Sequence, residues 1–248
     1  MAFTDVIKPG DKIDIRLLQQ IENAAVADAD IKLYKSQVQD IHKDGQLEID
    51  MPTEGTKLIL LPLNVRLELV FYSGSVLYRC IGQIVERYKK DNRYILKIEL
   101  KKQPEKFQRR EFYRYECSLD FTFYELTEEQ MKLETEEEIF RVLEEEKIPE
   151  RQHKGIIVDI SGGGIRFSSE CELKESTPVL AVIHLSNKSM NKEFHIIGTV
   201  ISCRRIENSK DKRNEMRMKF MMKDSKVREE IIRYIFEEER LTRQKVKG

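Results

Sequence analysis

Apolar and polar residues alternate along much of the first hundred positions, the period of a strand with one buried face. Residues 11–16, 31–38, 47–51 and 65–71 all read this way. Residues 57–61 form a short apolar run of strand length. Asp44-Gly45 supplies a tight turn into 47–51, and Ser73-Gly74 ends the 65–71 run. Residues 76–88 pair with 93–100 across Lys89-Lys90-Asp91-Asn92. The 17–29 stretch mixes helix formers such as Leu17, Leu18 and Ala24 with loop character, and its pattern decides neither. Short strands at this spacing predict a barrel or sandwich.

The alternation breaks at Lys101-Lys102-Gln103-Pro104-Glu105. Pro104 has no amide donor and restrains the residue before it, so an interdomain joint is expected here. A new strand is read through 113–123. Residues 127–151 then hold ten Glu against four Lys or Arg and no glycine. Met131, Ile139, Val142 and Leu143 can share one helical face, and Thr127 with Gln130 matches a capping box. A helical acidic insertion is the first reading, and a solvated acidic loop the second. Strands resume at 154–160, 165–168, 179–185, 193–204 and 214–222. The chain closes with a helix over about 225–244, where Val227, Ile231, Tyr234, Ile235 and Leu241 recur at helical spacing and Ser225 is placed as the N-cap. That apolar face is expected to cover a barrel mouth. The expected division is 1–105 and 106–248.

Composition narrows the function classes. Forty-four basic residues balance forty-four acidic ones, which argues against broad coating of nucleic acid but leaves room for a small basic site. No apolar stretch approaches the roughly 18 residues of a membrane span, and no secretion signal is visible. Cys80, Cys117, Cys171 and Cys203 have no zinc-knuckle or CxxC spacing, so free thiols in a reducing cytoplasm are expected. The histidines 42, 153, 184 and 195 sit in no HExxH, HxE or GxSxG context, and His184 and His195 read as ordinary barrel residues.

Two stretches carry candidate chemistry. In Lys106-Phe107-Gln108-Arg109-Arg110-Glu111-Phe112-Tyr113-Arg114, three arginines fall within six positions. A guanidinium fork can grip a phosphate or lie against a purine. On an extended strand Arg110 and Arg114 share a face opposite Arg109, whereas a bent linker lets all three converge. Solvated salt bridges to Glu105, Glu111 or Glu116 are the plain alternative. In Asp159-Ile160-Ser161-Gly162-Gly163-Gly164, the glycines allow positive backbone angles and close ligand approach, and exposed amides of such turns suit anions. Asp159 offers two acceptors to the donors of a guanine edge, and Ser161 can donate to phosphate or stabilise the turn. The alternative is an ordinary strand turn with both side chains bonded to backbone. Together the two stretches suggest a site for a guanine-containing phosphodiester.

The pairing of RxxxR (Arg110 to Arg114, with Arg109 before it) and DxSxxG (Asp159, Ser161, Gly164) resembles the paired motif of the PilZ domain family. With its strand-rich first half, the chain is similar to two-domain flagellar brakes of the YcgR type. The resemblance implies a mainly β protein of two barrels. The N-terminal one would be split-barrel-like, and the C-terminal one a six-stranded antiparallel PilZ barrel with a C-terminal helix. It implies cyclic di-GMP as ligand, no catalysis, no metal and no cofactor. Arg109, Arg110 and Arg114 would hold phosphates and guanine faces. Asp159, Ser161 and Gly164 would contact guanine and phosphate, with Gly162 and Gly163 shaping the turn. Implied too are ligand-driven rearrangement of the two domains and a partner in the flagellar motor or switch, with a cytoplasmic protein recruited to the flagellar basal body. Control of exopolysaccharide is the alternative output within the family. The insertion at 127–151 departs from the family pattern, where a short connection is expected. Outside the family, an enzyme lacks a catalytic motif. A barrel binding single-stranded nucleic acid has only the interleaved Phe107, Phe112, Tyr113 and Tyr115 in its favour.

Overall fold

The structure, a computed structural model, describes residues 3–27, 31–42, 45–146, 151–207, 213–222 and 224–247. The chain forms two compact units, Met1–Arg109 and Arg110–Gly248.

The first unit contains the helices α1 (Phe3–Val6) and α2 (Leu18–Ala27). Its strands are β1 (Lys12–Leu17), β2 (Tyr34–Ile41), β3 (Gln46–Asp50), β4 (Thr53–Glu54), β5 (Lys57–Leu58), β6 (Arg66–Ser73), β7 (Val76–Lys90), β8 (Arg93–Leu100) and β9 (Glu105–Lys106). The order β6-β1-β2-β3-β8-β7 closes on itself through β6 and β7, giving a six-stranded antiparallel barrel. Alternate residues of each strand fill it, among them Ile13 and Ile15, Leu47 and Ile49, Leu67, Leu69 and Phe71, and Leu96 and Ile98. Closure removes the sheet edges that would otherwise invite pairing with other chains.

Details depart from the sequence pattern. The ambiguous stretch after Leu17 is helical as α2. β2 starts at Tyr34 rather than 31, because its ladder with β1 pairs Ile15 with Tyr34 and Lys12 with Gln37. Only Lys57 and Leu58 of the 57–61 run are strand. Gly55, at φ +61°, folds them back on β4, and Leu60 is 66% exposed. The turn after β7 is the two residues Asp91 and Asn92, both with positive φ, as a tight hairpin requires. Asp44 of the expected turn lies outside the described residues, while Gly45 has φ +83°.

The second unit comprises β10 (Arg114–Glu125), a short 3-10 turn (Gln130–Lys132), α3 (Glu136–Glu146), β11 (Gln152–Ser161), β12 (Gly164–Ser169), β13 (Pro178–Ser186), β14 (Asn191–Arg205), β15 (Asn214–Phe220) and α4 (Ser225–Lys247). The strands close as β10-β11-β12-β15-β14-β13. Phe121, Phe123 and Phe167 pack ring on ring in the interior at centroid distances of 5.1 to 5.4 Å. Gly155 makes room for them, since a Cβ there would lie 2.5 Å from Phe121. Ile231, Tyr234 and Ile235 of α4 join this core. Each such fully buried side chain contributes about 2 kcal/mol of transfer free energy. The helix is capped by Asp224, whose Oδ1 accepts the Lys226 N–H at 2.8 Å, and Ser225 is its first helical residue.

The acidic insertion is a folded element in its described part. Thr127 and Gln130 form the reciprocal capping box, at 3.0 and 3.2 Å, but it opens the 3-10 turn rather than a long helix. α3 starts afresh at Glu136, with Thr135 Oγ1 accepting the Glu138 N–H. Ile139 and Leu143 bury against Tyr124, Leu126, Leu180 and Ile197 on the outside of the barrel. Glu137 and Glu145 of α3 are exposed, and Glu144 accepts from the Tyr124 hydroxyl at 2.8 Å. Residues 147–150 of the insertion lie outside the described residues.

Candidate functional site

The second motif owes its placement to a β-bulge. In β12, Ile165 and Phe167 both point into the core, so Arg166 points out. They pair with Ile160 and Ile157 of β11, two partners three residues apart, because the register shifts between Ile157 and Asp159. The extra residue keeps both isoleucines inside and sets Asp159 and Ser161 on the outer face. β10 aligns with them: Arg114 pairs with Ser161, Tyr115 with Ile160, and Glu116 with Asp159. Paired Cα atoms in such a ladder are about 5 Å apart. The last arginine of RxxxR therefore sits beside the serine of DxSxxG on one surface. Arg114 is exposed there.

The acidic residue is engaged. Asp159 is 7% exposed, and its Oδ2 accepts from Arg166 Nε at 2.5 Å. Arg166 Nη1 also donates to Glu215 at 3.0 Å. The bond to Asp159 raises the Arg166 pKa above its ordinary value against the opposing effect of burial. Burial, helped by Asp159, pushes the nearby Cys117 thiol up to about 12. Ser161 works within the hairpin: its hydroxyl donates to the Gly164 carbonyl at 3.1 Å and accepts the Gly163 N–H at 3.3 Å.

The glycines answer to space rather than to backbone angle. None of Gly162, Gly163 and Gly164 has a positive φ. A Cβ on Gly162 would lie 2.8 Å from Phe112 and 2.9 Å from Ile232, and one on Gly163 3.0 Å from Phe112. A Cβ on Gly164 would lie 2.2 Å from the Met218 carbonyl oxygen. Phe112, the first of two aromatics between Arg110 and Arg114, thus lies on the hairpin and pins the arginine segment to it. The Arg228 guanidinium stands 5.5 Å from the Phe112 ring centre. Next to it, Tyr113 donates to Glu239 at 2.8 Å and stacks on Phe236 of α4.

The three motif arginines are not equivalent. Arg110 opens the second unit and is exposed. Arg109 closes the first unit, where it is held. Its Nη1 donates to Tyr72 Oη at 2.8 Å and lies 3.4 Å from Asp14 Oδ2. The guanidinium also stands over the Tyr72 ring at 5.7 Å. Tyr72 donates in turn to Asp14, which is 8% exposed. Burial, then the Asp14 bond, raises the Tyr72 pKa, with Arg109 opposing. Sequence reasoning missed Arg166, Phe112, Asp14 and Tyr72. The alternation of Ile165 and Phe167 marked Arg166 as outward-facing, but nothing in the spacing marked Asp14 or Tyr72.

Residues 8–100 match the family model described as Flagellar protein YcgR (PilZNR), and residues 108–237 match the PilZ domain model. A comparison with curated proteins finds no match. Among solved structures, the Bacillus subtilis inhibitor of motility (MotI/DgrA) is 15% identical with a TM-score of 0.67, covering 94% of this chain and 98% of that one. Escherichia coli YcgR, solved in complex with c-di-GMP, is 14% identical with a TM-score of 0.51, covering 99% of this chain and 91% of that one. These two share the fold. The PilZ model alone spans more than half of the sequence, and on that match the chain is a member of the PilZ domain family.

Proposed function

We propose that the chain is a cyclic di-GMP receptor, not an enzyme, and that it regulates motility through a protein partner. The observation that carries this reading is the register of β10 on β11, which sets exposed Arg114 beside Ser161 and buried Asp159. Arg110 and Arg114 grip phosphate and stack on guanine. Asp159, oriented by Arg166, accepts from a guanine edge. Gly162, Gly163 and Gly164 shape the turn, and the first two let Phe112 lie on it and so seat the arginine segment beside Asp159 and Ser161. The matching family models and the c-di-GMP complex of the E. coli relative support the choice of ligand.

Arg109 gives the ligand a handle on the first barrel. In this reading cyclic di-GMP draws Arg109 away from Asp14 and Tyr72 and so biases the arrangement of the domains, taken as 1–105 and 106–248. A ligand shifts such an equilibrium only by its differential affinity for the two states. The partner is a flagellar motor or switch protein, which would bring a cytoplasmic receptor to the flagellar basal body.

The test is a calorimetric titration of the purified chain with cyclic di-GMP beside Arg110→Ala and Asp159→Ala. Binding lost in both variants supports the site, and the same curve gives the stoichiometry. Absence of binding to the unaltered chain removes the ligand from the account. Scattering profiles that superimpose with and without saturating ligand remove the domain rearrangement.

A further inference from the structure

Away from the motif face, three different donor groups converge at one end of the second barrel. Glu125 is the last residue of β10, His153 lies at the start of β11, and Cys171 follows β12. One carboxylate oxygen, one ring nitrogen and the Cys171 sulfur all lie within 4.8 Å of one another. His153 Nε2 and Glu125 Oε1 are 3.1 Å apart. All three residues are half-buried. A cavity of about 470 Å³, lined by His153, Cys171, Ser168 and Arg213 among others, opens beside them and gives a small ion a way in.

The surroundings hold these groups in place. The Cys171 N–H donates to Ser169 Oγ at 3.2 Å, and that hydroxyl donates to the Lys154 carbonyl at 2.7 Å. Asn214 Nδ2 donates to the Cys171 carbonyl at 3.1 Å. Ser169 and Asn214 are both buried. The His153 ring rests against Phe123 at 5.2 Å. These contacts fix the Cys171 backbone and the His153 ring.

A histidine–carboxylate pair needs no thiol, and a core thiol needs no charged neighbours. Sulfur, nitrogen and oxygen together are the donor set of Zn²⁺ and its Co²⁺ analogue, whereas Ca²⁺ and Mg²⁺ take oxygen ligands. Ligands at zinc bond lengths stand about 3.5 Å apart on a tetrahedron. Side-chain adjustments on the order of 1 Å therefore bring the present donors to that geometry. Sequence spacing does not show such a set, because the barrel closure assembles it from three separate segments.

We propose that Glu125, His153 and Cys171 form a binding site for a zinc-class cation, with a fourth position open to water or another donor. On binding, the thiol proton leaves to solvent as the sulfur–metal bond forms. The His153 Nε2 proton passes to solvent as Nδ1 takes one up, so Nε2 lends its lone pair, and a Glu125 oxygen exchanges its imidazole contact for the ion. The ion joins β10, β11 and the segment after β12, so it stiffens that end of the barrel.

The test titrates the full chain, freed of metal by a chelator, with Co²⁺ and then Zn²⁺. One equivalent of Co²⁺ is expected to produce a thiolate-to-cobalt charge-transfer band that Zn²⁺ abolishes. Cys171→Ser removes the band and weakens Zn²⁺ at least tenfold in competition with a chromophoric chelator. His153→Gln weakens Zn²⁺ by a similar factor, while Cys203→Ser keeps the band. Zn²⁺ raises the melting temperature of the unaltered chain but not that of Cys171→Ser, whose folding is checked by circular dichroism. Absence of the band, or its survival in Cys171→Ser, overturns the proposal. So does Zn²⁺ affinity unchanged in His153→Gln, which decides the matter if Cys171→Ser does not fold.

Discussion

Asp14 in the first barrel and Asp159 in the second are buried to the same degree, at 8% and 7% exposure, and each meets an arginine. The two pairs are built differently. Asp159 and Arg166 are cross-strand partners in the β11–β12 ladder, so the register fixes their contact at 2.5 Å. Asp14 meets Arg109, which belongs to the stretch between β9 and β10 and to no strand. The Arg109 side chain is 49% exposed and that of Arg166 is 27% exposed. The same chemistry serves as scaffold in one place and as a hold made by a connecting segment in the other. A pair set in a ladder breaks only with the sheet, whereas a pair made by a connecting segment opens by local motion.

The scaffold side is expected to give the largest effects. Gly164→Ala drives a Cβ into the Met218 backbone carbonyl, which has no rotamer by which to withdraw. It should lower unfolding free energy by about 4 kcal/mol in a urea titration, beyond the usual overpacking cost. Gly162→Ala meets only side chains, from Phe112 and Ile232, and should cost about 1 kcal/mol in the same titration. Equal costs would mean that the hairpin, not the carbonyl, sets the requirement.

Removing each arginine compares the pairs directly. Arg166→Gln leaves Asp159 buried without its cation, at a cost of about 3 kcal/mol. Arg109→Gln removes a half-exposed partner and should cost less than about 1 kcal/mol. Chemical denaturation of the two variants checks this, and similar losses would erase the distinction between scaffold and hold.

A third buried carboxylate gives a pH test within the first barrel. Burial alone would push Glu48 up, but hydrogen bonds from Tyr88, His42 and Lys90 outweigh it and hold its pKa at about 2, below the ordinary 4.5. A depressed folded pKa contributes stability above the unfolded value that is lost as pH falls through the folded one. The expected loss is about 3 kcal/mol between about pH 4.5 and 2, and Glu48→Gln should flatten that part of the profile. An unchanged slope in the variant would show that other carboxylates govern acid unfolding.

Much of this was legible in the sequence, for reasons that can be named. Strand alternation and helical spacing marked most strands of both barrels and α4, because burial of one face is what those periods record, while the closure of the strands into barrels came only with the family resemblance. The motif pair led to Arg114, Ser161 and Asp159, which the β10–β11 register brings together. The bulge at Val158 was not legible, since one extra residue leaves no mark in a short apolar run. The reason for the glycines was misjudged for a related cause: crowding by Phe112 and Met218 is a tertiary fact, whereas backbone freedom is the local inference. Arg109 and Asp14 lie 95 residues apart, and no local pattern couples them.

A change of affinity bears most directly on the central claim. Cyclic di-GMP is titrated calorimetrically into the unaltered chain, Arg114→Ala and Asp14→Asn. If Arg114 grips the ligand while Asp14 withholds Arg109, Arg114→Ala loses at least a hundredfold in affinity and Asp14→Asn gains about threefold to tenfold, on the order of 1 kcal/mol. Affinity unchanged in Arg114→Ala, or weakened in Asp14→Asn, would contradict the account.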